Sequence, residues 1–175
     1  VMNYKVNISV LGRFHAFDLA KHLKAKCLLS RLITTYPYFK VKEWNLNSNN
    51  IVTEFYLEVL NRYRDKIPFI SSNVINKFCK KRHAKNSSNF LSYCDIHIGW
   101  SGSSLETIIE AKRMKKIFIL ERGSSHYSYQ MNILREENKL IKKKFNINYE
   151  TWCRELLEYE LSDYISVPSK FVKKT

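Results

Sequence analysis

Short runs of apolar and β-branched residues alternate along this chain with longer stretches whose apolar positions recur every three or four residues. Residues 4–11 (YKVNISVL) read as a strand ending at Gly12, and Phe17, Ala20, Leu23 and Cys27 follow at helical spacing with lysines between them. Residues 31–36 read as a second strand closed by Pro37, and residues 41–44 as a third. Helical patterning then covers 51–64 and 72–85, with Pro68 as the break. Residues 95–100 (DIHIGW) form a strand. Ser103 with Glu106 three places on matches a capping box, which opens a helix carrying Leu105, Ile108 and Ile109. A strand at 116–120, helices at 127–144 and 150–161 and a last strand at 164–167 complete the pattern. Only the Asn/Ser-rich 45–50 reads as a loose loop. Strands alternating with helices predict an α/β fold with a parallel sheet covered on both faces.

The chain has only four glycines, Gly12, Gly99, Gly102 and Gly123, and this reading puts each at or just past the carboxyl end of a strand. Ligands of open α/β sheets bind at that edge, where glycine lets backbone approach a ligand and a following helix offers free N–H groups to an anion. The same glycines also serve simply to end strands. Gly12 stands alone in LGRFHAF, so the dinucleotide fingerprint is absent, as is the phosphate loop ending in Gly-Lys. A nicotinamide dehydrogenase and a nucleoside triphosphatase are therefore disfavoured.

At 175 residues and 45% hydrophobic, the chain can bury one real core. Its 30 Lys and Arg against 16 Asp and Glu leave a formal charge of +14, which favours polyanionic or phosphorylated partners. The four cysteines, Cys27, Cys79, Cys94 and Cys153, are scattered without a CxxC pair, so neither a zinc ribbon nor a disulfide framework is expected, and a cytoplasmic setting fits. Cys79 and His83 share a helical spacing but do not make a metal site, and no metal or cofactor is expected. His97, inside a strand, is expected to pack. Val1 ahead of Met2 and the basic end at 170–174 suggest a fragment.

LGRFHAFDLAKHL, WSGSSLETIIEAK, ILERGSSHYSYQ and EYELSDYISVPSKFV together resemble, in order, the amino-terminal half of family 4 glycosyltransferases. The resemblance implies a Rossmann-like domain that is one half of a retaining GT-B enzyme. Residues 1–167 would be the acceptor-side domain and 168–175 the start of the connection to a donor-binding domain, whose carboxylate pair no residue of this chain supplies. Such a chain would be inactive alone. Gly12 matches the family's first-strand glycine loop, and Arg13 and His15 would point into the cleft. Where many members place a histidine before a glycine, this chain has Arg122 before Gly123; Arg122 replaces it electrostatically, or His126 folds back to do so.

Retaining transfer needs stabilisation of a departing diphosphate and placement of an acceptor hydroxyl. Arg122, His126 and Glu121 are the catalytic candidates. Gly12, Arg13, His15, Ser101, Gly102, Ser103, Gly123 and Ser124 are the substrate-binding candidates. The serines, with Ser125, serve equally well as helix caps, and His126 as a helix-start imidazole bonded to backbone. The expected partners are a nucleotide-sugar donor, bound with the other domain, and a glycan or lipid-linked acceptor. The basic, part-apolar segments 77–85 and 139–145 would suit an anionic membrane surface, which places the enzyme peripherally at the inner face of the plasma membrane. Two other readings stay open: a non-catalytic acceptor-recruiting subunit of a two-chain transferase, and a basic nucleic-acid module. The second lacks any helix-turn-helix, zinc-finger or RRM signature, so nucleic acid is not the expected partner.

Overall fold

The computed structural model describes residues 4–145 and 148–175; Val1 and Met2 lie outside them. Six strands form one fully parallel sheet: β1 (Val6–Val10), β2 (Leu29–Thr34), β3 (Ile51–Thr53), β4 (Ile96–Trp100), β5 (Ile117–Glu121) and β6 (Tyr164–Ser166). Their order is β3-β2-β1-β4-β5-β6. All strands therefore end at the same edge, and the switch point lies between β1 and β4, whose connections leave in opposite directions.

Helix α1 (Ala16–Ala25) covers one face with Phe17 and Ala20 against Ile8, Val10, Leu32 and Trp100. Cys27 falls just outside it in a left-handed turn and is exposed. Residues 41–44 are helical where a strand is expected: α2 (Tyr38–Val41) starts behind Pro37 and passes into a 3-10 turn, Lys42–Trp44. Val41 and Trp44 both reach the α1 core, and residues three apart can do so only on a helix. The third strand is instead Ile51–Thr53, at the start of the stretch expected to be helical, where three β-branched residues extend the sheet beyond β2. The 45–50 loop is pinned by Asn50, whose amide donates to the Ser30 carbonyl (2.7 Å).

The other face carries α3 (Phe55–Arg62), α4 (Ser72–Ser88), α5 (Leu105–Arg113) and α7 (Tyr149–Leu161). Leu57, Ile75 and Cys79 join α3 to α4, while Leu91, Ile108, Phe118 and Leu120 fill the layer under α5. This side of the central strands is partly polar. His83 pairs with Glu54 inside the protein. His97 packs as expected, bonded to Ser9 Oγ (2.8 Å) and stacked on Phe118. Helix α6 (Tyr127–Leu140) has no buried residue. Residues 168–175 fold back as α8 (Lys170–Lys174): Phe171 meets Tyr129 edge-on, and Thr175 Oγ1 accepts from the His126 N–H (3.0 Å).

The capping box at Ser103 and Glu106 does not form. Ser103 and Ser104 both turn their hydroxyls to the Trp100 carbonyl, and Glu106 pairs with Arg154. The N-terminus of α5 is capped instead by Glu158 of α7, whose fully buried carboxylate accepts from the N–H groups of Gly102, Ser104 (2.8 Å) and Leu105 (3.0 Å). A carboxylate at a helix N-terminus meets both free donors and a favourable dipole. Gly99 lies within β4 rather than at its end. It is needed for room: a Cβ there would sit 2.5 Å from Ser104 Oγ and 2.6 Å from the Phe118 ring.

Gly99→Ala is expected to lose about 2–3 kcal/mol through this overpacking, read as a melting temperature roughly 5–10 °C lower. A second prediction concerns pH. Burial raises the Glu158 carboxyl from 4.5 to about 7, against the backbone donors of Gly102 and Ser104 and the charge of Arg154, which lower it. The folded value exceeds the unfolded one, so this group's stabilisation is complete below about pH 4.5 and is lost as pH rises through about 7. Glu158→Gln should be clearly less stable than wild type at pH 5 and should close most of that gap by pH 8, as urea midpoints would show. His97 acts in the opposite sense. Burial, then His83, lowers it from 6.5 to about 3, so its contribution is full above about pH 6.5 and is lost as pH falls toward 3.

Candidate functional site

Side chains alternate across a strand, and the register of β4 and β5 decides which residues meet at the sheet edge. Ile96, Ile98 and Trp100 face α1, as do Ile119 and, one step further along the same side, Glu121. Phe118 and Leu120 face α5, and Arg122 continues that side. Neighbours in sequence, Glu121 and Arg122 thus belong to opposite faces of the sheet. The octet ILERGSSH is split in two.

On the α1 side, Gly12 follows β1 with φ 101°, a left-handed conformation that glycine adopts without strain. Its N–H donates to Thr35 Oγ1 (2.9 Å), and its carbonyl accepts from Thr34 Oγ1 (2.6 Å). Nothing stands within 4 Å of the position a Cβ would take, so the backbone there is open to a ligand. Arg13 lies over the Trp44 ring at 5.0 Å. His15 stands at the N-cap of α1 without making a cap bond, which leaves the helix's first N–H groups free of any side-chain acceptor. Its ring centroid is 5.0 Å from that of Trp100, and its Nε2 is 3.5 Å from Glu121 Oε2. The loop after β1 therefore meets the ends of β4 and β5 at the switch point. Glu121 is half-buried and His15 exposed.

On the opposite face, Arg122 is buried, 8% exposed. Its Nη1 donates to Glu155 Oε2 (2.6 Å) and Ser101 Oγ (3.2 Å), its Nη2 to the Ser125 carbonyl (2.7 Å) and its Nε to the carbonyls of Ser124 and Ser125 (3.1 Å each). Tyr159 donates to the same Glu155 oxygen (2.9 Å), and burial pushes its own hydroxyl pKa up. Arg122 is held by these internal partners, and with His126 and Tyr159 it also lines a cavity of about 560 Å³ bounded by β6 and α8. Ser101 is tied into this network. The Gly102 N–H is taken by Glu158, and Ser103 is buried on the Trp100 carbonyl. His126 caps α6, with Nδ1 accepting from the Ser128 N–H (3.2 Å) and its ring 4.8 Å from Tyr159. Burial, then the charge of Arg122, lowers its pKa, while Glu155 opposes the shift. Gly123 and Ser124 are exposed past the end of β5.

The sequence pattern singles out Arg122 but not its counter-ion. Glu155, Glu158 and Arg154 lie in RELLEYE, where apolar periodicity draws attention to the leucines; yet Leu157 is 44% exposed and the two glutamates are buried. The available signal is the spacing of Arg154 from Glu158 and of Glu155 from Tyr159, both i,i+4, which places acid, base and phenol on one stripe. Among the described residues, no cluster of three or more His, Cys, Asp or Glu is placed to hold a metal ion. Cys79 Sγ meets the Leu57 carbonyl instead (3.8 Å). No described helix is long and apolar enough to cross a membrane.

No family model matches the sequence, and no curated protein sequence matches it. Among solved structures, a UDP-N-acetylglucosamine 2-epimerase is similar over 98% of this chain and 44% of its own, with a TM-score of 0.56 at 9% identity. A Listeria monocytogenes protein described as a UDP-N-acetylglucosamine 2-epimerase is similar over 98% of this chain and 40% of its own, with a TM-score of 0.54 at 13% identity. TcCGT1 in complex with UDP overlaps 82% of this chain and 33% of its own, with a TM-score of 0.49 at 10% identity. The chain thus spans less than half the length of each of these proteins. What it shares with them is fold: it is an α/β, Rossmann-like domain consistent with one half of a GT-B enzyme.

Proposed function

We propose that this chain is the acceptor-side domain of a retaining, family 4-like glycosyltransferase that moves a sugar from a nucleotide-sugar to a glycan or lipid-linked acceptor. The observation that carries this reading is the open backbone at Gly12, followed by an α1 N-terminus without a side-chain cap, beside the His15–Glu121 pair at the switch point. A departing diphosphate develops negative charge, and the positive end of the α1 dipole with Arg13 close by is suited to meet it. Glu121 orients His15, which offers a hydrogen bond to a sugar or acceptor hydroxyl. Gly123 and Ser124 extend the same edge. Arg122, His126, Ser101, Gly102 and Ser103 act behind it as positioning residues. Residues 1–167 form the domain, 168–175 lead toward a donor-binding domain, and the chain by itself is inactive. Phe78, Lys85, Leu140 and Ile141 are exposed in the two basic segments and would suit peripheral seating on an anionic membrane.

A second reading is supported by the two epimerase-like folds: the same His15–Glu121 pair has the acid–base character that proton exchange at a sugar carbon next to the anomeric centre requires.

The test uses the complete reading frame containing this chain, incubated with UDP-sugars in the presence and absence of acceptor. Transfer to acceptor with retained anomeric configuration supports the first reading; epimerised UDP-sugar without acceptor supports the second, and neither product rejects both. His15→Ala and Glu121→Gln should each lower turnover by about 10²-fold or more at unchanged melting temperature. Arg122→Ala should act first on folding, because it strands the buried Glu155 carboxylate at a cost of about 3–5 kcal/mol. Lost turnover in an Arg122→Ala protein with wild-type melting temperature would instead place Arg122 on the substrate.

A further inference from the structure

A cavity of about 460 Å³ lies between α4, α5 and α7, on the sheet face opposite His15 and Glu121. Such a volume is in the range of small-ligand sites and far exceeds what a single inorganic anion fills. Four cations line it, Lys77, Lys80, Lys81 and Arg154, against two carboxylates, Glu106 and Glu150. Both carboxylates are already engaged, Glu106 with Arg154 and Glu150 with Lys77. Lys80 and Lys81 remain.

Lys80 is partly buried, and among the described residues its ammonium has no hydrogen-bond acceptor and no carboxylate within ion-pair distance. Burying an unpaired charge is unfavourable, so the group calls for a reason. Glu155 and Glu158 attract it from beyond ion-pair distance, but their hydrogen-bonding positions are filled, by Arg122, Ser101 and Tyr159 at Glu155 and by three backbone N–H groups at Glu158, whose nearby cation Arg154 is shared with Glu106. Burial lowers the Lys80 pKa, and the two glutamates pull it back only in part. An anion entering the cavity would supply the direct hydrogen-bonding partner that neither glutamate gives. The rest of the lining fits the body of a hydroxylated molecule. Asn73, Asn76, Asn148 and Thr151 present donors and acceptors at the walls, and Leu105 and Leu157 give an apolar surface for the face of a sugar ring.

We propose that this cavity binds a sugar phosphate, with the phosphate on Lys80 and Lys81 and sugar hydroxyls on the asparagine side chains. This goes beyond glycosyl transfer at the rim and stands without it. The probe is glucose 1-phosphate, titrated calorimetrically into the 175-residue chain at moderate salt, with glucose and inorganic phosphate as separate arms. Binding should be at least tenfold tighter for glucose 1-phosphate than for either arm. Lys80→Met should weaken it at least tenfold. Lys112→Met, the same charge change at the far end of α5, and His15→Ala should change it less than twofold. Equal affinity for inorganic phosphate, or equal losses in the Lys80 and Lys112 variants, would mean that the general positive charge binds the ligand and would overturn the site. Asn76→Ala provides a second readout should Lys80→Met fail to fold: loss of the preference for glucose 1-phosphate over phosphate supports the site, and an unchanged preference overturns it.

Discussion

Two buried glutamates on α7 tie the last third of the chain to the centre of the sheet. Glu158 caps the N-terminus of α5 with its carboxyl group, and Glu155, one turn earlier, holds Arg122 behind β5. The loop after β4 is therefore closed by side chains more than fifty positions away in sequence. Its backbone donors, which in an open α/β sheet would be available to a ligand, are occupied from within. Of the two helix N-termini beside the switch point, that of α5 is capped by a buried carboxylate, whereas that of α1 has no side-chain cap bond among the described residues.

This asymmetry gives the two faces of the sheet different roles. On the α1 face the chain exposes backbone at Gly12 and a weakly held His15–Glu121 pair, features that can rearrange around a ligand. On the α7 face it builds a dense network of Arg122, Glu155, Tyr159 and Ser101, whose charges balance internally. Removing either Arg122 or Glu155 leaves the other buried and charged, so the network favours one arrangement over many.

The parallel sheet was legible in the pattern of apolar runs, since five of the six strands read as short apolar or β-branched segments set between stretches of helical spacing. Ile51–Thr53 was not, because three residues are too few to show a period of two, and the helix behind them dominates any window that includes them. The split of Glu121 from Arg122 follows from strand alternation, and a slip of one residue in the pairing register would exchange their faces. Position along the chain put both residues in one site; pleat geometry separated them.

The sequence by itself determined the α/β class, the convergence of strand ends on one edge and the glycine loop that opens it, because these depend on periodicities that span only a few residues. Only the tertiary structure decided which polar groups remain available. Whether an arginine or a helix N-terminus faces solvent or an internal carboxylate depends on α7 docking across β4 and β5. That docking is set by the burial of Glu155 and Glu158, residues whose charge marks them, in any local reading, as surface.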